Sequence, residues 1–351
     1  MISCPGFSVV HDVRHPSKVS YSILLHFKND LQRCNMGCKY CMCKIDLNGH
    51  NDISIDEDAM IKTILDTNKK RGVPNPSCYH FELWGGEPTY NKESIDEVRR
   101  ILRKHFPDST FSTTTNGLLL GNDDIADWLI KNFDTVQLSH DGISQKYARN
   151  VDPFEYPKAN ENIKALIQIG KINIINCTVN NHNPCLYDYV DFWWKKFREW
   201  GKTVQVKLNH PFNSDYSFDF AFTDEDAMDK YCSSFLWIYD HRNEPKYRPF
   251  REYIKNEVNK ARLTVEHPGS CRLYHQGKQD WTFIIMSNGG YGDCDLGEHT
   301  PEGACELPDY CNECEFKEYD WCHSCGAMKY PERCVFNKYW LTRVNHGRVK
   351  K

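Results

Sequence analysis

The stretch "LQRCNMGCKYCMC" (residues 31–43) decides how this chain is read. Cys34, Cys38 and Cys41 stand at C-x3-C-x2-C, and Cys43 follows outside that spacing. Three thiols in one tight loop point to metal ligation. A zinc site wants four protein ligands, or three and a water. A cubane 4Fe–4S cluster takes one thiolate per iron, so three cysteines leave one iron open to bind a further molecule. Residue types alone leave both readings standing.

Composition narrows the setting. The chain holds 17 cysteines in 351 residues, far above average usage. The formal net charge is −4, which offers no electrostatic reason for non-specific nucleic-acid or membrane-surface binding. No apolar run approaches the ~18 residues of a membrane span. The start, "MISCPGFSVVHDVRH", lacks a basic segment followed by an apolar one, so no signal peptide is read and a cytoplasmic protein is expected. Thiols stay reduced there, which favours metal ligation over disulfides. Cys4, Cys43, Cys78, Cys177, Cys185 and Cys232 are scattered and read as small buried hydrophobes.

Outward from the cysteine loop, strand and helix patterns alternate. "YSILLHF" (21–27) reads as a strand, and "SIDEDAMIKTIL" (54–65) as a helix opened by a Ser54–Glu57 capping box, with Ile61, Ile64 and Leu65 on one face. Further strands read at 79–84, 109–115, 134–139, 172–180 and 203–209, with helices between them. Six such repeats predict a parallel sheet with helices outside, an α/β partial (β/α)6 barrel. Chemistry then belongs at the C-terminal strand ends. The cysteine loop, "GGEP" (85–88), "TNG" (115–117), "HDG" (140–142) and "TVN" (178–180) all fall there. The expected organisation is a barrel over 1–210, a helical bridge over 211–270 with helices near 223–240 and 249–262, and a cysteine-rich domain over 271–351.

With Tyr40 before the third cysteine and Gly85-Gly86-Glu87-Pro88 after the second strand, residues 20–210 resemble the radical S-adenosylmethionine superfamily. That resemblance implies a catalytic 4Fe–4S cluster on Cys34, Cys38 and Cys41 and S-adenosylmethionine chelated to its open iron. Reductive cleavage would release a 5′-deoxyadenosyl radical that takes a hydrogen atom from the substrate. A one-electron donor such as flavodoxin or ferredoxin would supply the electron. Two glycines let the GGEP backbone approach the cofactor, and Glu87 is expected to accept from its ammonium. Tyr40 would flank the adenine. Ser139, Asp141, Thr178 and Asn180 are candidates for ribose or carboxylate contacts, and equally for strand-end hydrogen bonding.

The segment from Cys271 carries eight cysteines and little aliphatic periodicity, so its stability is expected from metal rather than from a core. Cys311-x2-Cys314 and Cys322-x2-Cys325 would suit a zinc ribbon. The whole segment resembles the SPASM extension of radical S-adenosylmethionine enzymes, with Gly289-x4-Cys294, or a slip to Gly290, as its G-x4-C step. Two auxiliary 4Fe–4S clusters follow from that resemblance. One would use Cys271, Cys294 and Cys325, with Cys305, another group or nothing as fourth ligand. The other would use Cys311, Cys314, Cys322 and Cys334. Spacings after Cys314 depart from the family pattern. Asp295, next to Cys294, matches the aspartate that accepts a proton in SPASM enzymes oxidising serine or cysteine, or else caps a turn. The resemblance implies oxidation, crosslinking or epimerisation of a peptide or protein side chain. A small-molecule or nucleotide substrate is the alternative, and a non-catalytic zinc-ribbon binding protein a remote one.

Overall fold

Hydrophobic alternation builds one face of the sheet. In β1 (Lys18–Leu24), Val19, Tyr21 and Ile23 are buried at 3%, 0% and 1% exposure and belong to the main core. The computed structural model describes residues 18–28, 31–41, 44–46, 53–70, 75–209, 211, 220, 222, 224–255 and 283–292. Short strands β2 (His26–Phe27), β3 (Leu31–Arg33), β4 (Lys44–Asp46) and β5 (Ile53–Ser54) lead into helix α1 (Glu57–Lys70). Then follow β6 (Cys78–Trp84), α2 (Lys92–His105), β7 (Thr110–Thr115), α3 (Asp123–Asn132) and β8 (Thr135–Ser139). The one-turn α4 (Gln145–Arg149), α5 (Pro157–Gln168), β9 (Ile172–Thr178), α6 (Leu186–Trp200), β10 (Gln205–Asn209) and α7 (Glu225–Asp240) complete the repeat.

The main sheet runs β10-β9-β8-β7-β6-β1 and continues into β11 (Phe283–Met286) and β12 (Tyr291–Gly292). All pairs are parallel except β11 with β12. β10 and β12 stand at its ends, so among the described residues the sheet does not close on itself. Parallel pairing requires helical crossovers, and these cover one face. Phe81, Leu83, Phe111, Val136, Leu138, Ile175, Val206 and Leu208 point into that layer, against Val98, Leu102, Leu129, Ile163, Ile167, Trp193 and Phe197. Each fully buried side chain of this size stabilises by roughly 1.5–3 kcal/mol relative to exposure.

The other face is polar. Ser22 Oγ meets Glu82 Oε2 at 3.4 Å, Gln137 Nε2 donates to Glu82 Oε1 at 2.9 Å, and Asn176 Nδ2 donates to Gln137 Oε1 at 2.8 Å. His80 bridges Thr110 and Ser112, both at 2.9 Å. A closed barrel fills this space with branched aliphatics. Here it is a hydrogen-bonded strip running across β1, β6, β8 and β9.

Three expectations change. Ser54 does not cap α1; it pairs with His26 in a strand, and Asp56 is the cap, its Oδ1 accepting from Ala59 N at 3.0 Å. Met60, at 0% exposure, takes the inward place given to Leu65, which is 47% exposed. Phe283–Met286, placed on sequence in the metal-dependent segment, lie in the sheet beside β1, and Ile285 is buried in the main core. Their hairpin is locked down. Ser287 N donates to Leu24 O, Asp56 N to Ser287 O and Thr63 Oγ1 to Gly289 O, at 2.8–2.9 Å. Gly289 turns at φ +85, and a Cβ there would come within 2.4 Å of Ala59 Cβ. Of the bridge helices, the first is α7 and the second begins as a 3-10 turn, Arg248–Phe250, with helix over 251–255. Among the described residues no helix is long and apolar enough to cross a membrane.

Candidate active site

The strand ends meet where the sequence motifs fall. Gly85 and Gly86 take φ +138 and +58, and a Cβ on Gly86 would lie 2.0 Å from Arg33 O. Gly86 permits close approach to the backbone leading into the cysteine loop, and Gly85 to Leu25, just after β1. Gly86 N donates to Gln32 Oε1 at 2.7 Å and Glu87 N to Arg33 O at 3.1 Å, while Asn91 Nδ2 reaches the same carbonyl at 2.9 Å. The turn thus grips Gln32 and Arg33, immediately before Cys34.

Glu87 is 2% exposed. Its Oε1 accepts from Thr89 N (3.1 Å), Thr89 Oγ1 (2.6 Å) and Thr115 Oγ1 (2.7 Å), and Oε2 from Asn116 N (2.8 Å). Burial raises its pKa even against these donors. A carboxylate offers about four acceptor sites. Three protein donors occupy Oε1 and one reaches Oε2, so Glu87 ties β6, the Pro88–Asn91 turn and the end of β7 together.

Asp141 is the second hub, fully buried. Its Oδ2 receives Tyr40 OH at 2.5 Å and Arg149 Nε at 2.9 Å; Oδ1 receives Thr178 N at 2.9 Å. Tyr40 is therefore held by its hydroxyl, with its ring 6.0 Å from Phe220, and burial pushes its pKa well up. Lys39 N donates to Ala148 O at 2.8 Å, and Asn150 Nδ2 donates to Gly37 O. Residues 148–150 thus latch the middle of the cysteine loop. Thr178 N and Asp141 Oδ1 are thus brought together. Ser139 and Asn180 do not hydrogen-bond Asp141. Ser139 stands opposite Asn176, and Asn180 is fully buried, with Oδ1 on His182 N at 3.1 Å and no partner for Nδ2 among the described residues.

Of the three thiols, Cys34 is buried and Cys38 and Cys41 are half-buried. Met36 N lies 3.4 Å and Asn116 Nδ2 3.9 Å from Cys34 Sγ, and Arg149 Nη1 lies 3.8 Å from Cys38 Sγ. Burial, then Glu87 and the other two thiols, push Cys34 up to about 12. Burial pushes Cys38 up to about 11, with Arg149 opposing. Residues 29–184, which include this loop and both hubs, match the family model of the Radical SAM superfamily. Over that span the chain is similar to a radical SAM domain.

The chain is 29% identical over 155 residues to a probable GTP 3′,8-cyclase of Saccharolobus solfataricus, covering 43% of this chain and 46% of the relative. A probable GTP 3′,8-cyclase of Saccharolobus islandicus is 30% identical over the same shares. The chain spans about half the length of the curated relatives it matches. The structure of anSMEcpe with bound AdoMet and Cp18Cys peptide superposes with a TM-score of 0.57 at 18% identity, over 95% of this chain and 100% of that one. The complex with the Kp18Cys peptide gives 0.58 at 16% identity, over 95% and 100%. Those two likenesses show the fold.

A radical SAM domain implies S-adenosylmethionine and a 4Fe–4S cluster, and the thiol loop fits the cluster. N–H groups from Met36, Asn116 and Arg149 face the sulfurs, the environment an anionic thiolate needs. Left as thiols, Cys34 and Cys38 resist ionisation, a cost that cationic iron offsets. Among the described residues no three His, Cys, Asp or Glu side chains converge on one metal ion. A cubane instead asks for one thiolate at each of three irons. Arg149 and Asn116 escaped the sequence candidates because neither stands in a metal-ligand spacing. Cys43, Cys271, Cys294, Asp295, Cys305, Cys311, Cys314, Cys322, Cys325 and Cys334 lie outside the described residues.

Proposed function

We propose that the protein is a radical SAM enzyme that abstracts hydrogen from a peptide or protein side chain, leading to oxidation, crosslinking or epimerisation. The observation that carries the catalytic reading is the double grip on Cys34–Cys41, by the GGEP turn at Gln32–Arg33 and by the 148–150 latch at Gly37–Lys39. Cys34, Cys38 and Cys41 hold the cluster, which with S-adenosylmethionine supplies a 5′-deoxyadenosyl radical. Gly85, Gly86, Glu87 and Pro88 fix the loop from below. Tyr40, Ser139, Asp141 and Thr178 face the cofactor. Asn180 Nδ2, a buried donor with no partner among the described residues, suits a ribose or carboxylate oxygen.

The peptide substrate is supported by the SPASM-like cysteine pattern from Cys271 to Cys334, expected to hold two auxiliary clusters, and by whole-chain similarity in fold to an enzyme bound to a peptide. A nucleotide is the second reading. It is favoured by the cyclase relatives and by the polar strip Ser22–Glu82–Gln137–Asn176, which suits a ligand rich in hydrogen-bonding groups.

Anaerobically reconstituted, reduced protein would be mixed with S-adenosylmethionine and either serine- and cysteine-containing peptides or GTP. The peptide reading expects 5′-deoxyadenosine together with a mass change in a peptide. A product from GTP and none from any peptide would sink it. Asp295→Asn, which keeps shape but not basicity, should lower peptide turnover by ~10²–10⁴ with iron content unchanged if Asp295 accepts the substrate proton. Unchanged yield eliminates that role.

A further inference from the structure

Arg149 is a buried cation whose placement the fold over-determines. It closes the one-turn helix α4 and is 9% exposed. Asp141 fixes its Nε at 2.9 Å and is itself fixed by Tyr40 OH and Thr178 N. The carboxylate is anchored from three sides, so the guanidinium is held in one orientation, with Nη1 turned to Cys38 Sγ at 3.8 Å. Its charged carbon sits 5.4 Å from the Tyr40 ring centroid. Burying a charge pair is costly unless the geometry is used. A planar fork that satisfies a carboxylate with one N–H and faces a sulfur with another is a use that lysine cannot copy.

We propose that Arg149 is a positioning residue for the catalytic cluster, donating to the Cys38 thiolate and raising the cluster's reduction potential. This rests on the reading of Cys34, Cys38 and Cys41 as cluster ligands. Reduction adds one electron, delivered by an external one-electron donor, to a centre already carrying anionic sulfurs. A fixed cation beside one sulfur stabilises the added negative charge, and hydrogen bonds to the sulfurs are among the levers that set such potentials. The buried surroundings screen this interaction less than water would. Asp141 then does more than pair with Arg149: it fixes the guanidinium so that Nη1 meets Cys38 Sγ.

The test is a potentiometric titration of reconstituted protein followed by electron paramagnetic resonance, with dithionite as reductant and no substrate. The catalytic signal is identified as the one that changes on adding S-adenosylmethionine, since only an open iron can respond. Arg149→Met with Asp141→Asn removes the pair at constant net charge. The equilibrium constant for one-electron reduction should fall about tenfold, about 59 mV in midpoint. Arg149→Lys keeps the charge but not the fork, and should fall between that double variant and the parent. Both variants titrating at the parental midpoint with full iron would overturn the proposal. So would folded variants that fail to load the catalytic iron, which would make Arg149 a builder of the loop only. A parent protein with no S-adenosylmethionine-responsive signal would instead sink the cluster reading itself.

Discussion

Glu87 and Thr115 join two strand ends through a hydroxyl–carboxylate bond of 2.7 Å, and the same carboxylate takes the next backbone amide, Asn116 N, at 2.8 Å. The cysteine loop is therefore tied to β7 through the GGEP turn, not only to β6. Glu87→Gln puts an NH2 among four donors. It should cost roughly 1–3 kcal/mol in urea unfolding, and Thr115→Val less. If Glu87 instead served mainly the cofactor ammonium, Glu87→Gln would weaken S-adenosylmethionine binding at unchanged stability.

Gly86→Ala tests the grip directly. The new Cβ would stand 2.0 Å from Arg33 O at a φ of +58, so the strand entering Cys34 must move. Iron incorporation should collapse even where circular dichroism shows a folded barrel. Normal iron loading in Gly86→Ala would show that the turn does not position the loop.

Cys34→Ala, Cys38→Ala and Cys41→Ala should each abolish 5′-deoxyadenosine formation, and Cys43→Ala should not. Arrival of N–H donors at Cys34 and Cys38 supports the first group. A folded Cys43→Ala protein without 5′-deoxyadenosine would overturn the assignment.

Removal of iron should separate the two parts of the cysteine-rich segment. The hairpin Phe283–Gly292 is held by β1, α1 and the buried Ile285, so it is expected to hold its place without metal. Chelated protein should be cut by protease beyond residue 292 while the hairpin stays protected. Cleavage inside the hairpin at the same rate would show that it, too, depends on metal.

What was legible on sequence was local. The strand-helix alternation and the motifs at strand ends depend on spacing within a few residues, and β6 with Gly85–Pro88 lies where the pattern puts it. What was not legible needed partners far along the chain. Arg149 faces Cys38, 111 residues away, and no spacing announces that. Phe283–Met286 form a short apolar run whose meaning comes from β1, and the local metal pattern around it pulled the reading the other way. Ser54 satisfied a capping pattern, but the hairpin's Ser287 Oγ donates to its carbonyl at 2.6 Å, which holds it as strand and leaves Asp56 to cap.

His140 makes pH a probe of the HDG loop. The ring is fully buried against Phe154, Phe192 and Trp193, with Nε2 3.1 Å from Asp152 Oδ1 and Nδ1 accepting from Gly142 N at 3.0 Å. Burial lowers its pKa below 6.5, aided by Arg149 and opposed by Asp152 and Asp141. A proton on Nδ1 would meet the Gly142 N–H, so the folded site refuses it. The unfolded chain does not. As pH falls below about 6.5 the unfolded state therefore gains protons that the folded state lacks, and stability drops. His80, half-buried between Thr110 and Ser112, shifts in the same direction for the same reason, burial, and adds to the loss. Urea unfolding of the protein at about pH 7.5 and about pH 5.5 should show this loss. His140→Gln should be less stable at the higher pH but lose less on acidification. Equal losses in the parent and in His140→Gln would remove His140 as the source.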